Sequence, residues 1–242
     1  MKILQLNVWM GKVEGELKRL LEQDEWDVIC MQEVMASTDA TLHLSRLCFS
    51  LSRIIDASKM PYHTFAPNYS SKVGDGHFEL GNVILSKIPI LDTSSTFTHG
   101  QYTEDLILGE TPKNNLNIMS AKLANGLTIV NHHGYWCNQP MGDEHTVEAF
   151  KKAADFVRKI DGPLVMCGDL NVEHDAPAMR EFDFLRDLTH ENNIDNTLSG
   201  LKFNGKVACD HILVNDSIDV KGFRVIKSLA SDHYPVEATI EF

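Results

Sequence analysis

Short apolar runs that end on polar side chains recur through this chain of 242 residues. Each run has the length and branched composition of a buried β-strand, so a polar residue at its end lies at the rim of a sheet. One such residue is usually a hydrogen-bonded structural group or a turn former. Seven polar clusters end or interrupt such runs, and this number predicts a shared functional site. They are Asn7, Gln32-Glu33, Asn82, His132-His133, Asp169-Asn171, Asp210-His211 and Asp232-His233.

The periodicity predicts an α+β domain in which antiparallel strands are mixed with separate helices. Asn125-Gly126 joins two apolar runs and is the strongest hairpin signal in the chain. A helix is expected over Ala40–Ile55, where leucines and isoleucines recur at helical spacing, and a mobile loop over Asn68–Gly76. Because no repeat or low-complexity linker occurs, we expect one domain over residues 1–242.

Charge limits the partners that the chain can bind. The formal net charge is −12, which repels polyanions unless positive charge is concentrated on one face or a metal supplies it. The basic residues near the polar clusters are few, chiefly Lys72, Lys87 and Lys113. A nucleic-acid substrate therefore remains compatible with the sequence, but its binding should depend only shallowly on salt.

The sequence also favours a cytoplasmic location. It shows no apolar stretch long enough for a secretory signal or a membrane span, and no obligate protein partner is evident. The five cysteines are odd in number and widely spaced, and three of them lie in apolar strand-like runs. A disulfide framework is therefore not expected, which fits a reducing compartment.

Carboxylates and amides at the strand ends suggest metal and phosphate chemistry. Glu33 follows an apolar run with no opposite charge nearby, so it either holds a hard divalent cation or pairs with a distant Arg or Lys. Asp169 and Asn171 lie two residues apart, and in an extended segment both side chains point to the same side. Such a pair can activate water and bind a phosphoryl oxygen, although Asp-x-Asn is also an ordinary Asx turn.

An imidazole with a carboxylate partner is the other chemical candidate. His233 can act as an acid, a base or a phosphate ligand, with Asp210 as its orienting carboxylate, while a helix cap is the structural alternative for Asp210. No Gly-x-Ser-x-Gly motif and no indicative cysteine context occur, which disfavours a serine or cysteine nucleophile. The histidines lack the His-Glu-x-x-His spacing, which disfavours zinc.

Taken in order, these clusters resemble the endonuclease/exonuclease/phosphatase superfamily, which includes deoxyribonuclease I, exonuclease III and tyrosyl-DNA phosphodiesterase relatives. The resemblance extends from Asn7 to His233, and the combination is far more specific than any piece. Its motifs are Leu-Asn-Val-Trp, Met-Gln-Glu-Val, Gly-Asn-Val-Ile-Leu-Ser-Lys, Ile-Val-Asn-His-His, Gly-Asp-Leu-Asn, Cys-Asp-His-Ile-Leu-Val and Ser-Asp-His-Tyr-Pro-Val.

The resemblance implies a deoxyribonuclease I-like four-layer α/β/β/α sandwich with its site at one edge of two facing sheets. It implies that Mg²⁺ or Mn²⁺ is held by Glu33, Asn7 and Asp232. The catalytic roles fall to His133, Asp169, Asn171, Asp210 and His233, and substrate binding to Asn82 and Trp9. His133 is chosen over His132 by alignment with the family's histidine strand. Trp9 stands where abasic-site enzymes of the family carry an acidic residue, so a second metal ligand is not expected there.

The implied activity is single-metal, in-line attack of water on a phosphodiester without a covalent intermediate. A nuclease or DNA-end-processing enzyme is the first candidate. A small-molecule or lipid-headgroup phosphodiesterase or phosphatase is the alternative that the acidic charge favours. An inactive binding module is disfavoured because every expected metal and acid–base position is present.

Overall fold

The computed structural model describes residues 1–23, 25–37, 49–73, 76–107 and 114–242. The strands in these ranges are β1 (Lys2–Asn7), β2 (Val28–Ala36), β3 (Tyr62–Val73), β4 (Gly76–Ser86), β5 (Ile90–His99), β6 (Thr103–Ile107), β7 (Leu116–Leu123), β8 (Thr128–His133), β9 (Leu164–Asp169), β10 (Arg186–Asp187), β11 (Asp210–Val214), β12 (Asp219–Val225) and β13 (Val236–Glu241). The helices are α1 (Glu14–Leu21), α2 (Leu51–Ser58), α3 (Glu144–Val157) and α4 (Leu188–Glu191), with short 3₁₀ helices at Trp9–Gly11 and Pro177–Phe182.

The strands form two mixed sheets. The first has the order β12-β13-β1-β2-β4-β3-β6, and the second has the order β10-β11-β9-β8-β7-β5. Three neighbouring pairs are parallel, namely β1 with β2, β3 with β6 and β8 with β9, and the other pairs are antiparallel. Antiparallel pairing of β7 with β8 across Asn125-Gly126 confirms the predicted hairpin.

Apolar residues form three core clusters between the four layers of the fold, which are two sheets and a layer of helices on each side. Ile3 of the first sheet and Ile129 of the second belong to one cluster, which is the core between the two sheets. Leu4 and Leu6 point the other way and pack with α1 and α2, while Phe150 of α3 covers the outer face of the second sheet. The result is the expected α/β/β/α sandwich, in which alternate residues of a strand face opposite layers.

Two local predictions differ from the structure. The loop predicted over Asn68–Gly76 is wrong for residues 68–73, because β3 runs to Val73 and pairs with both β4 and β6. Residues 74 and 75 of the predicted loop lie outside the described residues. Hydrogen-bond partners on both edges of this strand outweigh its polar composition. Most of the helix predicted over Ala40–Ile55 lies outside the described residues, and α2 begins only at Leu51 and ends at Ser58. In the described ranges no helix combines the length and apolarity needed to cross a membrane.

A buried ion pair joins β11 to the segment before α4. His211 Nδ1 donates to Asp187 Oδ2 at 2.9 Å and Nε2 donates to the Val172 carbonyl at 3.0 Å, so both ring nitrogens carry protons. Burial alone would lower the pKa of His211, but the Asp187 carboxylate and the carbonyl outweigh it and raise the pKa to about 9. Burial would raise the pKa of Asp187, but His211 and His174 lower it to about 2.

The pair predicts a defined pH dependence of stability. A raised histidine pKa stabilises the fold fully below the ordinary value of 6.5, and this contribution is lost as the pH rises through about 9. At pH 6 we therefore expect His211→Gln to lower the free energy of unfolding by about 3 kcal/mol, since Asp187 loses its buried charged partner and keeps only the half-exposed His174. In urea titrations the difference should shrink steadily up to pH 9. An equal difference at both pH values, or an equal loss in the exposed His63→Gln control, would contradict the assignment.

Candidate active site

Six of the predicted site residues line one cavity of about 260 Å³ at the rim where the two sheets meet. They are Asn7, Glu33, His133, Asp169, Asn171 and His233. Larger grooves of about 660 and 740 Å³ lie elsewhere and contain none of the six. Residues separated by up to 226 positions are thus brought together at one rim. Asn7, His133 and Asp169 stand at strand ends as the sequence predicted, but β2 continues past Glu33 to Ala36, so the strand end predicted at Glu33 is wrong.

A β-bulge turns Glu33 into this cavity. The pairing of β2 with β4 shifts between Met31 and Val34, and Glu33 has a left-handed backbone with φ of 55°. This conformation costs about 1 kcal/mol or more in a non-glycine residue, and it persists only where the surrounding fold holds it. The Asn7 amide donates to Glu33 Oε1 at 3.1 Å and fixes the carboxylate in place.

Asp169, at the end of β9, is the centre of the cluster. Its Oδ2 accepts a hydrogen bond from Asn7 Nδ2 at 2.9 Å, and its Oδ1 accepts one from the Asn171 backbone N–H at 3.0 Å. Asn171 has a φ of 58°, so the segment is an Asx turn and the extended geometry expected from the sequence is wrong. Both side chains still reach the cavity, and Asn171 Nδ2 donates to the Gly134 carbonyl at 3.0 Å.

Two imidazoles face the same oxygen of Asp169. The Nε2 atoms of His133 and His233 each lie 3.7 Å from Asp169 Oδ2. The neighbouring His132 has a fully buried ring that packs edge-on against Phe150, and burial lowers its pKa to about 4. The structure therefore brings His133, and not His132, into the cavity.

His233 is oriented by a buried carboxylate. Its Nδ1 donates to Asp210 Oδ2 at 2.8 Å, and this leaves Nε2 directed at the cavity. Burial would lower the pKa of His233, but Asp210 and then Asp169 outweigh it and raise the pKa well above its ordinary value. Burial would raise the pKa of Asp210, but His233 outweighs it and lowers that pKa.

A network of buried amides supports this pair from the opposite sheet. Gln5 Nε2 lies 3.2 Å from Asp210 Oδ1 and 2.7 Å from Gln32 Oε1. Gln32 Nε2 donates to Asn131 Oδ1 at 2.6 Å, and Asn131 Nδ2 donates in turn to the Met31 carbonyl of the first sheet at 2.9 Å. Because unsatisfied buried amides are costly, the network fixes the relative position of the two sheets beneath the cavity.

The acidic side chains fit a hard divalent cation. Burial raises the pKa of Asp232. The nearby His233 opposes this effect, and the Glu33 carboxylate adds to it. Carboxylates such as Glu33 and Asp232 and amide oxygens such as that of Asn7 are the donors that Mg²⁺ or Mn²⁺ prefers, although Asp232 does not line the cavity itself. Asn7 Oδ1 also accepts from the Trp9 backbone N–H at 2.9 Å. A cation between the two carboxylates would remove their repulsion.

A second group of possible ligands is less suited to a hard cation, because it offers a thiol and an imidazole beside a single carboxylate. Asp169, Cys209 and His233 place one ligand atom each within 4.8 Å of one another. Burial, followed by the charges of Asp169 and Asp210, raises the pKa of the Cys209 thiol to about 12, so it is not a thiolate. His233 already donates Nδ1 to Asp210. The Cys209 side chain is therefore part of the wall of the site.

Two residues predicted to bind substrate lie outside the cavity wall. Asn82 is fully buried in β4 and donates to the Asn117 carbonyl and side chain at 3.1 and 2.9 Å. Its Oδ1 has no hydrogen-bond partner among the described residues. Trp9 is half-buried beside the cavity, with Lys12 Nζ 4.4 Å and Lys202 Nζ 5.9 Å from its ring centroid. Neither side chain lines the cavity.

Sequence reasoning missed Lys202, Trp136 and Phe203, which do line the cavity. Lys202 Nζ lies 3.8 Å from Asp232 Oδ2 and 4.9 Å from the Phe203 ring centroid. These residues lie in irregular segments with no strand-end pattern, so only their aromatic or basic character in a polar stretch could have identified them. Lys72 and Lys87 do not line the cavity, and Lys113 lies outside the described residues.

Comparisons with known proteins agree with this geometry. The model of the Endonuclease/Exonuclease/phosphatase family matches residues 4–233. A Bacteroides thetaiotaomicron mannosyl-6-phosphatase is 16% identical with a TM-score of 0.66, and the match covers 100% of each chain. The human Nocturnin catalytic domain is 15% identical with a TM-score of 0.68, covering 100% of this chain and 94% of that one.

A humanized D. rerio TDP2 is 14% identical with a TM-score of 0.66, and the match covers 100% of this chain and 99% of that one. At these identities the likeness to solved structures shows the fold alone. No curated protein matches the chain significantly.

The match to this family identifies the protein as a phosphoester hydrolase, and the carboxylates and imidazoles at one rim of its two facing sheets fit that class. The chain belongs to the endonuclease/exonuclease/phosphatase family, as the motifs predicted, because the family model spans nearly all of it. Enzymes of this family hydrolyse phosphoester bonds and generally use divalent metal ions.

The 2.8 Å contact between His233 and Asp210 predicts that the two residues act as a unit. We expect Asp210→Asn to leave the imidazole in the wrong tautomer, so the double change with His233→Ala should lower kcat no more than about threefold below the worse single change. A double-mutant cycle in Mn²⁺ measures this coupling. The matched control is Asp187→Asn, which breaks the other buried Asp–His pair and should lower the Tm while kcat at 20 °C stays near wild type. Full additivity of Asp210→Asn and His233→Ala would refute the assignment.

Proposed function

We propose that this protein is a Mg²⁺- or Mn²⁺-dependent phosphodiesterase that hydrolyses its substrate by in-line attack of water. The observation that carries the proposal is the convergence on Asp169 Oδ2 of the Asn7 amide at 2.9 Å and two imidazole Nε2 atoms at 3.7 Å. Phosphodiester hydrolysis needs a base for water and positive donors around the phosphoryl oxygens, and this arrangement supplies both.

Asp169 is the base that takes a proton from the attacking water. Its position is fixed from two sides, by the Asn7 amide and by the Asn171 backbone N–H. A fixed carboxylate is the better base, because it does not have to reorganise when the water loses its proton. The Asn171 amide lines the same cavity and is suited to hold a phosphoryl oxygen.

His233 and His133 bind the phosphoryl group, and His233 donates the one proton that the departing oxygen takes up. Asp210 stabilises the charged form of His233, so its Nε2 carries a proton toward the substrate. His133 presents Nε2 from the neighbouring strand β8. Together they offer two donors to charge that develops in the transition state.

Glu33, Asn7 and Asp232 would hold the metal. When bound, a divalent cation supplies Lewis-acid stabilisation of phosphoryl charge. Magnesium or manganese suits this all-oxygen donor set, which contains no thiolate and no imidazole.

Nucleic acid is the first substrate class, as a nuclease or an enzyme that processes DNA ends, and the family's description includes both endonucleases and exonucleases. A specific observation favours a second candidate, a small-molecule or lipid-headgroup phosphoesterase. Among the described residues Lys202 is the only lysine or arginine that lines the cavity, and the chain carries a net charge of −12. One structural neighbour is a mannosyl-6-phosphatase.

Metal dependence is tested with Glu33→Gln. A neutral amide is a poorer ligand for a hard cation, so we expect at least a hundredfold loss of turnover of bis-p-nitrophenyl phosphate in Mn²⁺. Excess chelator should abolish wild-type activity. Glu79→Gln is the matched control, because Glu79 is equally half-buried on the adjacent strand β4 but does not line the cavity. Full wild-type turnover in chelator would overturn the metal assignment.

The salt dependence of binding separates the substrate candidates. Because Lys202 is the only lysine or arginine among the described residues of the cavity, log K for a single-stranded oligonucleotide should fall only shallowly with log[salt], with a slope between 0 and about −2. Fluorescence anisotropy between 50 and 300 mM salt measures this slope. Lys202→Gln should make the slope shallower by about the amount expected for the loss of one phosphate contact. A slope steeper than about −5 would show that a long polyanion is bound over a basic surface.

A further inference from the structure

A second cavity, of about 320 Å³, opens directly beside the active-site cavity and is here named the side cavity. Four residues line both spaces, namely Trp136, Asn171, Phe203 and His233. A group attached to a phosphoryl centre at Asn171 and His233 therefore extends into the side cavity. Its volume is at the lower end of the range of small-molecule sites, enough for one compact group.

The lining of the side cavity favours an uncharged, apolar occupant. Leu198, Val207 and Pro140 contribute aliphatic surface beside the two aromatic side chains. No lysine, arginine, aspartate or glutamate is found among the described residues that line it. The Cys209 thiol in the wall is neutral because burial raises its pKa to about 12. A phosphate chain or a carboxylate would find no counter-charge there except His233.

The two aromatic side chains are unusually exposed for their size. Trp136 is 40% and Phe203 is 42% exposed. A large apolar surface at the mouth of a functional cavity marks a binding surface. Flat aromatic faces are best covered by another ring, because stacking adds to the apolar area that is buried.

Hydrogen bonds fasten the backbone segments that carry the two aromatic residues. The Asn114 side chain accepts from the Trp136 backbone N–H at 2.9 Å and donates to its carbonyl at 3.1 Å. The loop that carries Phe203 is closed by the Thr197 N–H, which donates to the Val207 carbonyl at 2.9 Å. The Ser199 N–H donates to the Asp232 carbonyl at 2.8 Å, so this loop is fastened beside His233. Preorganised contacts lower the entropic cost of binding.

We propose that the side cavity binds one uncharged aromatic ring of the substrate, joined to the phosphoryl group that is hydrolysed. This inference rests on the proposed phosphoesterase function and names the substrate class, a phosphoester that carries a phenol-type ring on its ester oxygen or a nucleobase joined to that oxygen through a sugar. The Asn138 and Asn204 amides at the rim offer hydrogen bonds to the edge of a base.

The test compares phosphonates and phosphates that differ only in the ring. Competitive inhibition constants are measured in Mn²⁺ for phenylphosphonate against methylphosphonate, and for thymidine 5′-monophosphate against 2-deoxyribose 5-phosphate. Stacking on two aromatic side chains should give about a tenfold tighter inhibition for each ring-bearing partner. The larger of the two gains identifies the ring as a phenol or a nucleobase.

Substitutions of the two aromatic residues test whether the side cavity causes the tighter inhibition by ring-bearing compounds. Phe203→Ala and Trp136→Ala should each reduce the ring-dependent gain to about threefold or less, while Trp136→Phe should restore most of it. Phe184→Ala is the matched control, because Phe184 is 41% exposed and contacts Arg158 much as Phe203 contacts Lys202, but it lies outside both cavities. Its gain should equal that of the wild type.

The outcomes separate this inference from the function on which it rests. Inhibition by methylphosphonate with no gain from either ring would overturn the side-cavity proposal and leave the phosphoesterase proposal intact. A gain that persists in both alanine variants would also overturn it. Absence of metal-dependent hydrolysis of bis-p-nitrophenyl phosphate would overturn both.

Discussion

The ion pair of Asp210 and His233 is the constraint on which the rest of the site depends. Asp210 is fully buried, and a buried carboxylate is tolerated only when it is paired and hydrogen-bonded. His233 supplies the pairing at 2.8 Å, and Gln5 supplies an amide at 3.2 Å from the opposite sheet. Both partners reach Asp210 only when the two sheets have closed on each other. Folding of the sandwich and formation of the active site are therefore one event.

Backbone strain is concentrated at the same rim. Trp9, Met10, Glu33 and Asn171 all have left-handed φ values, which non-glycine residues adopt rarely. Each lies in or beside the cavity, where the conformation aims a side chain or opens space next to Asn7 and Asp169. The packed layers on either side hold these conformations, so packing in the core stabilises the strained backbone that positions the site residues.

Much of the fold could be predicted from the sequence, because strand periodicity and the Asn125-Gly126 turn are local signals. The predicted strand ends also identified the cavity residues Asn7 and Asp169, whereas Glu33 was found although it lies at a bulge within β2 and not at a strand end. The sequence could not show that Asn82 is buried beneath the cavity, since a polar residue within a long strand has the same pattern as one at its end. Lys202 and Phe203 lie in a loop, where position depends on long-range hydrogen bonds such as that from Ser199 to Asp232.

The central claim is a single in-line displacement by water that Asp169 activates between two imidazoles. The stereochemical course at phosphorus tests it most directly. A thymidine p-nitrophenyl phosphorothioate of one configuration, hydrolysed in ¹⁸O-labelled water, yields a product whose chirality can be assigned by ³¹P NMR. One displacement predicts inversion at phosphorus, with the label in the phosphorothioate product. Retention would require a covalent enzyme intermediate and would contradict the account.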